Sequence, residues 1–84
     1  MNRKLVERTQ TGVRLEKSLL KTLKGLAEYC DLSLGDLLEG IVLHTFEGKT
    51  PFSAETQSKI ADLKKIYHCE LTAADSHRLR EAGE

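Results

Sequence analysis

The chain has 84 residues, of which 39% are hydrophobic and 31% charged, with one proline and six glycines. These values predict one small globular domain and exclude a disordered chain, because the charges are of mixed sign. Two cysteines are too few for a disulfide framework, the charged N-terminus lacks the apolar core of a signal peptide, and the longest apolar run, residues 41–43, is too short to cross a membrane. We therefore expect a cytoplasmic protein without membrane contact.

Charge is distributed unevenly along the chain, although the formal net charge is zero. Residues 1–24 hold seven Lys and Arg residues against two Glu residues, a net charge of +5. Residues 25–48 hold five acidic residues and no Lys or Arg, a net charge of −5, and residues 49–84 hold six charges of each sign. A basic first third on a neutral chain indicates a surface for an anionic partner.

The segment 9–15, TQTGVRL, predicts a β-strand, because apolar and polar side chains alternate along it. A lone strand leaves its backbone N–H and C=O groups without partners, and no second strand is predicted elsewhere in the chain. We therefore expect the same strand of a second copy to pair with it, antiparallel about a two-fold axis.

Two amphipathic helices are predicted next, from about residue 16 to 30 and from 34 to 46, because apolar residues recur there with helical spacing. Ser33 is the predicted N-cap of the second helix, and Gly48 occupies the position of a C-terminal helix glycine. Gly40 lies in the middle of that helix and predicts the close approach of another helix. The apolar stripe of the second helix is wider than a two-helix hairpin can cover, which also favours a dimer.

Residues 49–84 are predicted to be helical as well. Ser53 is the expected N-cap of a third helix over roughly 54–68, and Thr72 that of a short fourth helix ending near residue 81. Ile60, Leu63 and Tyr67 give the third helix an apolar side. We therefore expect this segment to pack against the first two helices.

The order of these elements resembles the ribbon-helix-helix family of bacterial transcriptional repressors, of the Arc, MetJ and CopG type. The matching motifs are TQTGVRL, LLKTLKGLAEYC, the turn DLS and LGDLLEGIVLHTF, which together span residues 9–48. The resemblance implies a mainly α homodimer in which one intermolecular antiparallel β-ribbon enters the DNA major groove. It divides the chain into a basic N-terminal arm (1–8), a dimerisation and DNA-binding domain (9–48) and a C-terminal helical extension (49–84).

The resemblance also implies a set of site residues. The expected base contacts are Arg8, Gln10, Gly12 and Arg14. Arg matches the guanine edge and Gln the adenine edge in the major groove. The start of the second helix is expected to bind a phosphate through backbone N–H groups, and the basic side chains of the first third add further phosphate contacts. The full set of expected phosphate contacts is Arg3, Lys4, Lys17, Lys21, Lys24, Ser33 and Leu34. The expected dimer core comprises Val13, Leu15, Leu23, Leu37, Leu38, Ile41 and Val42.

These features predict a repressor-like regulator that binds double-stranded DNA in a sequence-specific way. We expect it to be a homodimer that can form a higher-order assembly on DNA. No cofactor or metal is expected. Enzymatic activity is not expected either, because Asp75, Ser76 and His77, the residue types of a catalytic triad, are neighbours in sequence and cannot align for catalysis. Two alternatives stay open. One is a DNA-binding antitoxin whose residues 49–84 are unfolded until they contact a toxin, and the other is a dimeric interaction module that does not bind DNA.

Overall fold

The computed structural model describes residues 3–83 and contains three α-helices of 13 residues each: α1 (Lys17–Tyr29), α2 (Leu34–Phe46) and α3 (Ala54–Ile66). A single 3₁₀ turn, Ala73–Asp75, follows α3. Residues 3–16 precede α1 without regular secondary structure. The three longer helices predicted from the sequence are therefore confirmed, within one or two residues at each end.

Each helix begins at a side chain that accepts a hydrogen bond from the first turn. The carboxylate of Glu16 accepts the N–H of Leu19 at 2.9 Å, and Ser33 Oγ accepts the N–H of Asp36 at 3.1 Å. Ser53 Oγ accepts the N–H three residues further on at 3.2 Å. Because the first N–H groups of a helix have no intrahelical partner, these caps fix where the helices start. The predicted caps Ser33 and Ser53 are confirmed.

All three helices end in the same way, with one residue in the left-handed region. These residues are Asp31 (φ 57°), Gly48 (φ 71°) and His68 (φ 56°). In each case the N–H of the following residue donates to the carbonyl five residues before it, at 2.9, 2.8 and 2.8 Å. This is the Schellman arrangement. The sequence position of Gly48 predicts this role, whereas the two other ends place Asp and His in a conformation that glycine adopts more readily.

The hydrophobic core forms around α1. Leu26 and Ala27 of α1 and Leu37 of α2 are buried, with exposed fractions of 2%, 5% and 4%. Partly buried side chains surround them: Leu23, Cys30, Ile41, Phe52, Ile60 and Leu63. Among the described residues, α1 contacts both other helices, but α2 and α3 do not contact each other. The expected dimer-core residues Leu23, Leu37 and Ile41 thus contribute to the core of the single chain.

Gly25 of α1 lies close to side chains of α3 and of its C-cap residue. A Cβ atom at this position would be 3.0 Å from Cδ2 of Leu63 and 3.2 Å from Cε2 of Tyr67. At Gly40, by contrast, nothing in the described part of the chain lies within 4 Å of such an atom. Gly25 is therefore the helical glycine against which another helix packs. The close approach of a helix expected at Gly40 is not found among the described residues of this chain.

The segment after α3 folds back onto the helices. The Cys69 side chain is buried, and Nζ of Lys64 donates to the carbonyl of Leu71. The predicted fourth helix is wrong beyond residue 75, because only the 3₁₀ turn forms and His77 follows it with a φ of 65°, which no right-handed helix accommodates. The C-terminal segment is held by side chains and turns instead.

The predicted β-strand is wrong. No strand occurs between residues 3 and 83, and the backbone groups of 9–15 make no backbone hydrogen bond within this range. Alternation of polar and apolar residues is necessary for a half-buried strand but not sufficient, because a strand also needs a paired backbone and a buried face. Val13, on the expected core side, is 74% exposed, and Leu15 is 40% exposed.

Loss of the strand also overturns the family resemblance. A ribbon-helix-helix fold is defined by its β-ribbon, and the described residues provide none. The expected mainly α homodimer with an intermolecular ribbon is therefore corrected to a small all-helical fold. The motifs that suggested the family were mostly hydrophobic helix spacing and one capping serine, and an α1–α2 hairpin of any helical protein satisfies both.

Candidate interaction surfaces

The N-terminal segment, residues 3–16, is tied to α2 by Arg8. Its Nε and Nη2 atoms donate to the two carboxylate oxygens of Glu39, both at 2.9 Å, and Asp36 Oδ1 lies 4.0 Å from Nη2. The hydrogen bond from Arg8 holds the pKa of Glu39 below its ordinary value, and Glu39 in turn raises the pKa of Arg8. We call this bidentate contact the Arg8–Glu39 fork.

Arg14 is held by a carboxylate as well. Its Nη2 atom lies 3.0 Å from the carboxylate of Glu81, a residue of the C-terminal segment. Both arginines predicted to contact bases are therefore bound to acidic groups of their own chain. Neither Glu39 nor Glu81 was predicted as a partner of these arginines. The net charge of −5 over residues 25–48 was a signal for Glu39, whereas the balanced segment 49–84 gave none for Glu81.

A row of lysines occupies one exposed face of α1. Lys17, Lys21 and Lys24 are spaced four and three residues apart, which places them on one side of a helix. All three are exposed, and no carboxylate of the described residues lies within 4.0 Å of their ammonium groups. Arg3 and Lys4 are also exposed, at the start of the segment. We call Lys17, Lys21 and Lys24 the α1 lysine row.

An open groove of about 990 Å³ lies between the N-terminal segment and the first two helices. It brings together candidates for base contact, Arg8, Gln10 and Gly12, with candidates for phosphate contact. The latter are Lys24 on α1, the N-cap Ser33 and the first residue of α2, Leu34. Of the other candidates, Arg14, Lys17 and Lys21 do not line the groove.

The second helix presents an apolar stripe that the described chain leaves partly uncovered. Leu34, Leu38, Val42 and Phe46 follow one another at intervals of four residues. Leu34 and Leu38 are half-buried, whereas Val42 is 44% and Phe46 83% exposed. Leu37 is the one α2 residue that is fully buried. We call the four residues at four-residue intervals the α2 stripe.

Comparison of the chain with protein-family models, with curated proteins and with solved structures finds no match. Between residues 3 and 83, no three His, Cys, Asp or Glu side chains come together in a way that could hold a metal ion. None of the helices in the same range is long and apolar enough to pass through a membrane.

Proposed function

We propose that this protein is a non-enzymatic, cytoplasmic DNA-binding regulator that acts as a homodimer. The observation that carries the proposal is the α1 lysine row, three exposed ammonium groups without an acidic partner among the described residues. Lys24 belongs both to the row and to the wall of the groove, so it connects phosphate contacts on α1 with contacts of the N-terminal segment.

The geometry of the row suits a polyanion. Lys24 lies seven positions after Lys17 on the helix, which corresponds to about 10 Å along the axis. Duplex DNA carries one negative charge per roughly 1.7 Å of its axis, so several phosphates lie within reach of such a row. Contacts of this kind position a protein on DNA without selecting a sequence. Sequence preference would come from the candidates on the N-terminal segment, Gln10 and Arg14 in particular.

Self-association is supported by the α2 stripe. Phe46 and Val42 are the most exposed members of a stripe that continues the apolar side of the helix away from Leu37. Burying one large apolar side chain is worth about 1.5–3 kcal/mol, and a second copy of the chain supplies an identical stripe about a two-fold axis. We infer that the stripes of two copies pack on each other, and that further copies can assemble along DNA.

DNA binding is tested with the lysine row. The variant Lys17→Ala/Lys21→Ala/Lys24→Ala and wild type are titrated against duplex DNA, selected from random sequence, at a series of salt concentrations. Each phosphate contact that the substitutions remove should flatten the plot of log affinity against log salt by about 0.9, so up to about 2.7 for three. Lys65→Ala, an exposed lysine of α3, is the single-charge control and should leave the slope unchanged.

Two results would contradict DNA binding through the row. One is an absence of any salt-dependent binding by the wild type, and the other is an unchanged slope for the triple variant. Dimerisation is tested separately by sedimentation at micromolar concentration. Val42→Asp should convert a dimer to a monomer, and a folded, monodisperse wild-type monomer would be evidence against the homodimer.

The exposed α2 stripe also favours a second candidate, a dimeric interaction module that does not bind DNA. It predicts the same sedimentation behaviour but no DNA binding at any salt concentration. The antitoxin alternative has no comparable support, because it expected residues 49–84 to be unfolded in the free chain, and α3 packs on α1 instead.

A further inference from the structure

We propose that Glu39 acts as an internal competitor of DNA: it holds Arg8 on α2, and the N-terminal segment engages DNA only when a phosphate or base edge displaces that carboxylate. The inference rests on the proposed DNA-binding function and adds an autoinhibitory contact to it. It follows from the geometry of the Arg8–Glu39 fork and from the small number of other contacts that the segment makes.

The fork occupies one of the paired-donor edges with which Arg8 would bind DNA. Arg8 uses Nε and Nη2, one complete edge of the guanidinium, on the two oxygens of Glu39. The guanidinium recognises carboxylates, phosphates and the guanine edge with the same paired N–H groups. One edge can serve a single acceptor pair at a time, so binding of Glu39 and binding of DNA through this edge exclude each other.

The fork is also a principal attachment of the segment. Residues 3–15 make no backbone hydrogen bond within the described chain. Apart from the Arg14–Glu81 contact, the segment meets α2 at the fork and at an apolar hollow lined by Val6, Leu38 and Val42. Val6 is 63% exposed, so this hollow buries little of it. Breaking the fork therefore frees much of the segment from α2.

The fork is weak enough to be displaced. The side chains of Arg8 and Glu39 are 63% and 48% exposed, and water and salt screen ion pairs of this kind. A duplex offers many phosphates at high local charge density. On α2, by contrast, Arg8 has the one carboxylate of Glu39 and, 4.0 Å from its Nη2 atom, Oδ1 of Asp36. The contact can therefore reduce the affinity for DNA without preventing binding.

The test is a double-mutant cycle on DNA affinity, measured by fluorescence anisotropy at one low salt concentration. Glu39→Gln removes the competing charge and keeps the shape of the side chain. The control Glu55→Gln makes the same change in net charge at an exposed glutamate of α3 that has no side-chain partner among the described residues. We expect Glu39→Gln to tighten binding about two- to five-fold more than Glu55→Gln, the range for an exposed ion pair.

Arg8→Ala completes the cycle. In that background Glu39→Gln should tighten binding no more than Glu55→Gln does, because the fork no longer exists. If Glu39→Gln still tightens binding more than its control in the absence of Arg8, or if the two variants have equal effects in the presence of Arg8, the inference is overturned. Circular dichroism of each variant confirms that the helices are intact, as expected for substitutions of exposed side chains.

The outcomes separate this inference from the proposed function. If the wild type binds DNA and Glu39→Gln has no specific effect, the autoinhibitory contact is refuted and DNA binding stands. If neither protein binds DNA, the proposed function is refuted and the inference with it. If the wild type binds DNA and Glu39→Gln binds two- to five-fold more tightly than its control variant, both the proposed function and the inference are supported.

Discussion

Two glycines in the middle of two helices make a matched pair for testing how closely α1 and α3 pack. Gly25→Ala and Gly40→Ala are the same chemical change, and both remove the conformational freedom that makes glycine unfavourable inside a helix. This gain is about 1 kcal/mol for each substitution. At Gly40 the new Cβ meets nothing within 4 Å in the described chain, so the full gain should appear in the free energy of unfolding.

At Gly25 a steric cost opposes the same gain. The new Cβ would lie 3.0 Å from Leu63 Cδ2 and 3.2 Å from Tyr67 Cε2, several tenths of an ångström inside ordinary carbon–carbon contact. Overpacking of a well-packed site costs about 1–3 kcal/mol. We therefore expect Gly25→Ala to be less stable than Gly40→Ala by about 1–3 kcal/mol, and to range from neutral to clearly destabilised relative to the wild type.

Urea denaturation followed by circular dichroism measures the difference, at one protein concentration because the association state affects apparent stability. A difference of 1 kcal/mol corresponds to about 4–8 °C in the midpoint of thermal unfolding for a domain of this size. Equal stabilisation by both substitutions would refute the close packing of α3 on α1. Destabilisation by Gly40→Ala would instead reveal a neighbour supplied by another chain.

Three further predictions concern the core, a cap and acid stability. Leu26→Ala should cost about 2–5 kcal/mol in urea denaturation, because it empties a position that is 2% exposed, whereas Leu79→Ala, at 53% exposure, should change little. Ser33→Ala should cost about 1 kcal/mol and reduce the helical signal, because it removes the N-cap of α2. The lowered pKa of Glu39 stabilises the folded chain above the ordinary glutamate pKa of about 4.3, and this stabilisation is lost as the pH falls through the folded-state pKa. Glu39→Gln should therefore flatten the decline of the melting temperature between about pH 5 and about pH 3, and an identical decline for both proteins would contradict the fork.

The helices were predictable because their signals are local. Apolar spacing, the serines at 33 and 53, and Gly48 each act within one or two helical turns, so no knowledge of the rest of the fold was needed. The ends at Asp31 and His68 carry a weaker signal, because glycine adopts their left-handed conformation far more readily than Asp or His does. The importance of Gly25 depends on which helix lies opposite, and that is a tertiary property.

The strand and the candidate site were harder to predict for a related reason. The alternation of polar and apolar residues over 9–15 indicates which side chains would share a face of a strand. The segment becomes a strand only if its backbone is also paired. The same applies to Arg8, whose sequence neighbours give no indication of Glu39, 31 residues away. Charge segregation between the first and second thirds of the chain indicated an anionic counterpart for the basic groups, but not that the chain itself supplies carboxylates to two of the arginines.

The central position of α1 has a consequence for how the molecule unfolds. Because α2 and α3 each contact α1 but not each other in the described chain, either outer helix can detach while the remaining pair keeps its own contacts. Proteins open locally in cooperative units of this kind, and the amide exchange rates of each unit report its own opening free energy. The amides of α1 should then exchange most slowly, since they become exposed only when both neighbours have left, and the amides of α2 and α3 should form two separate, faster groups.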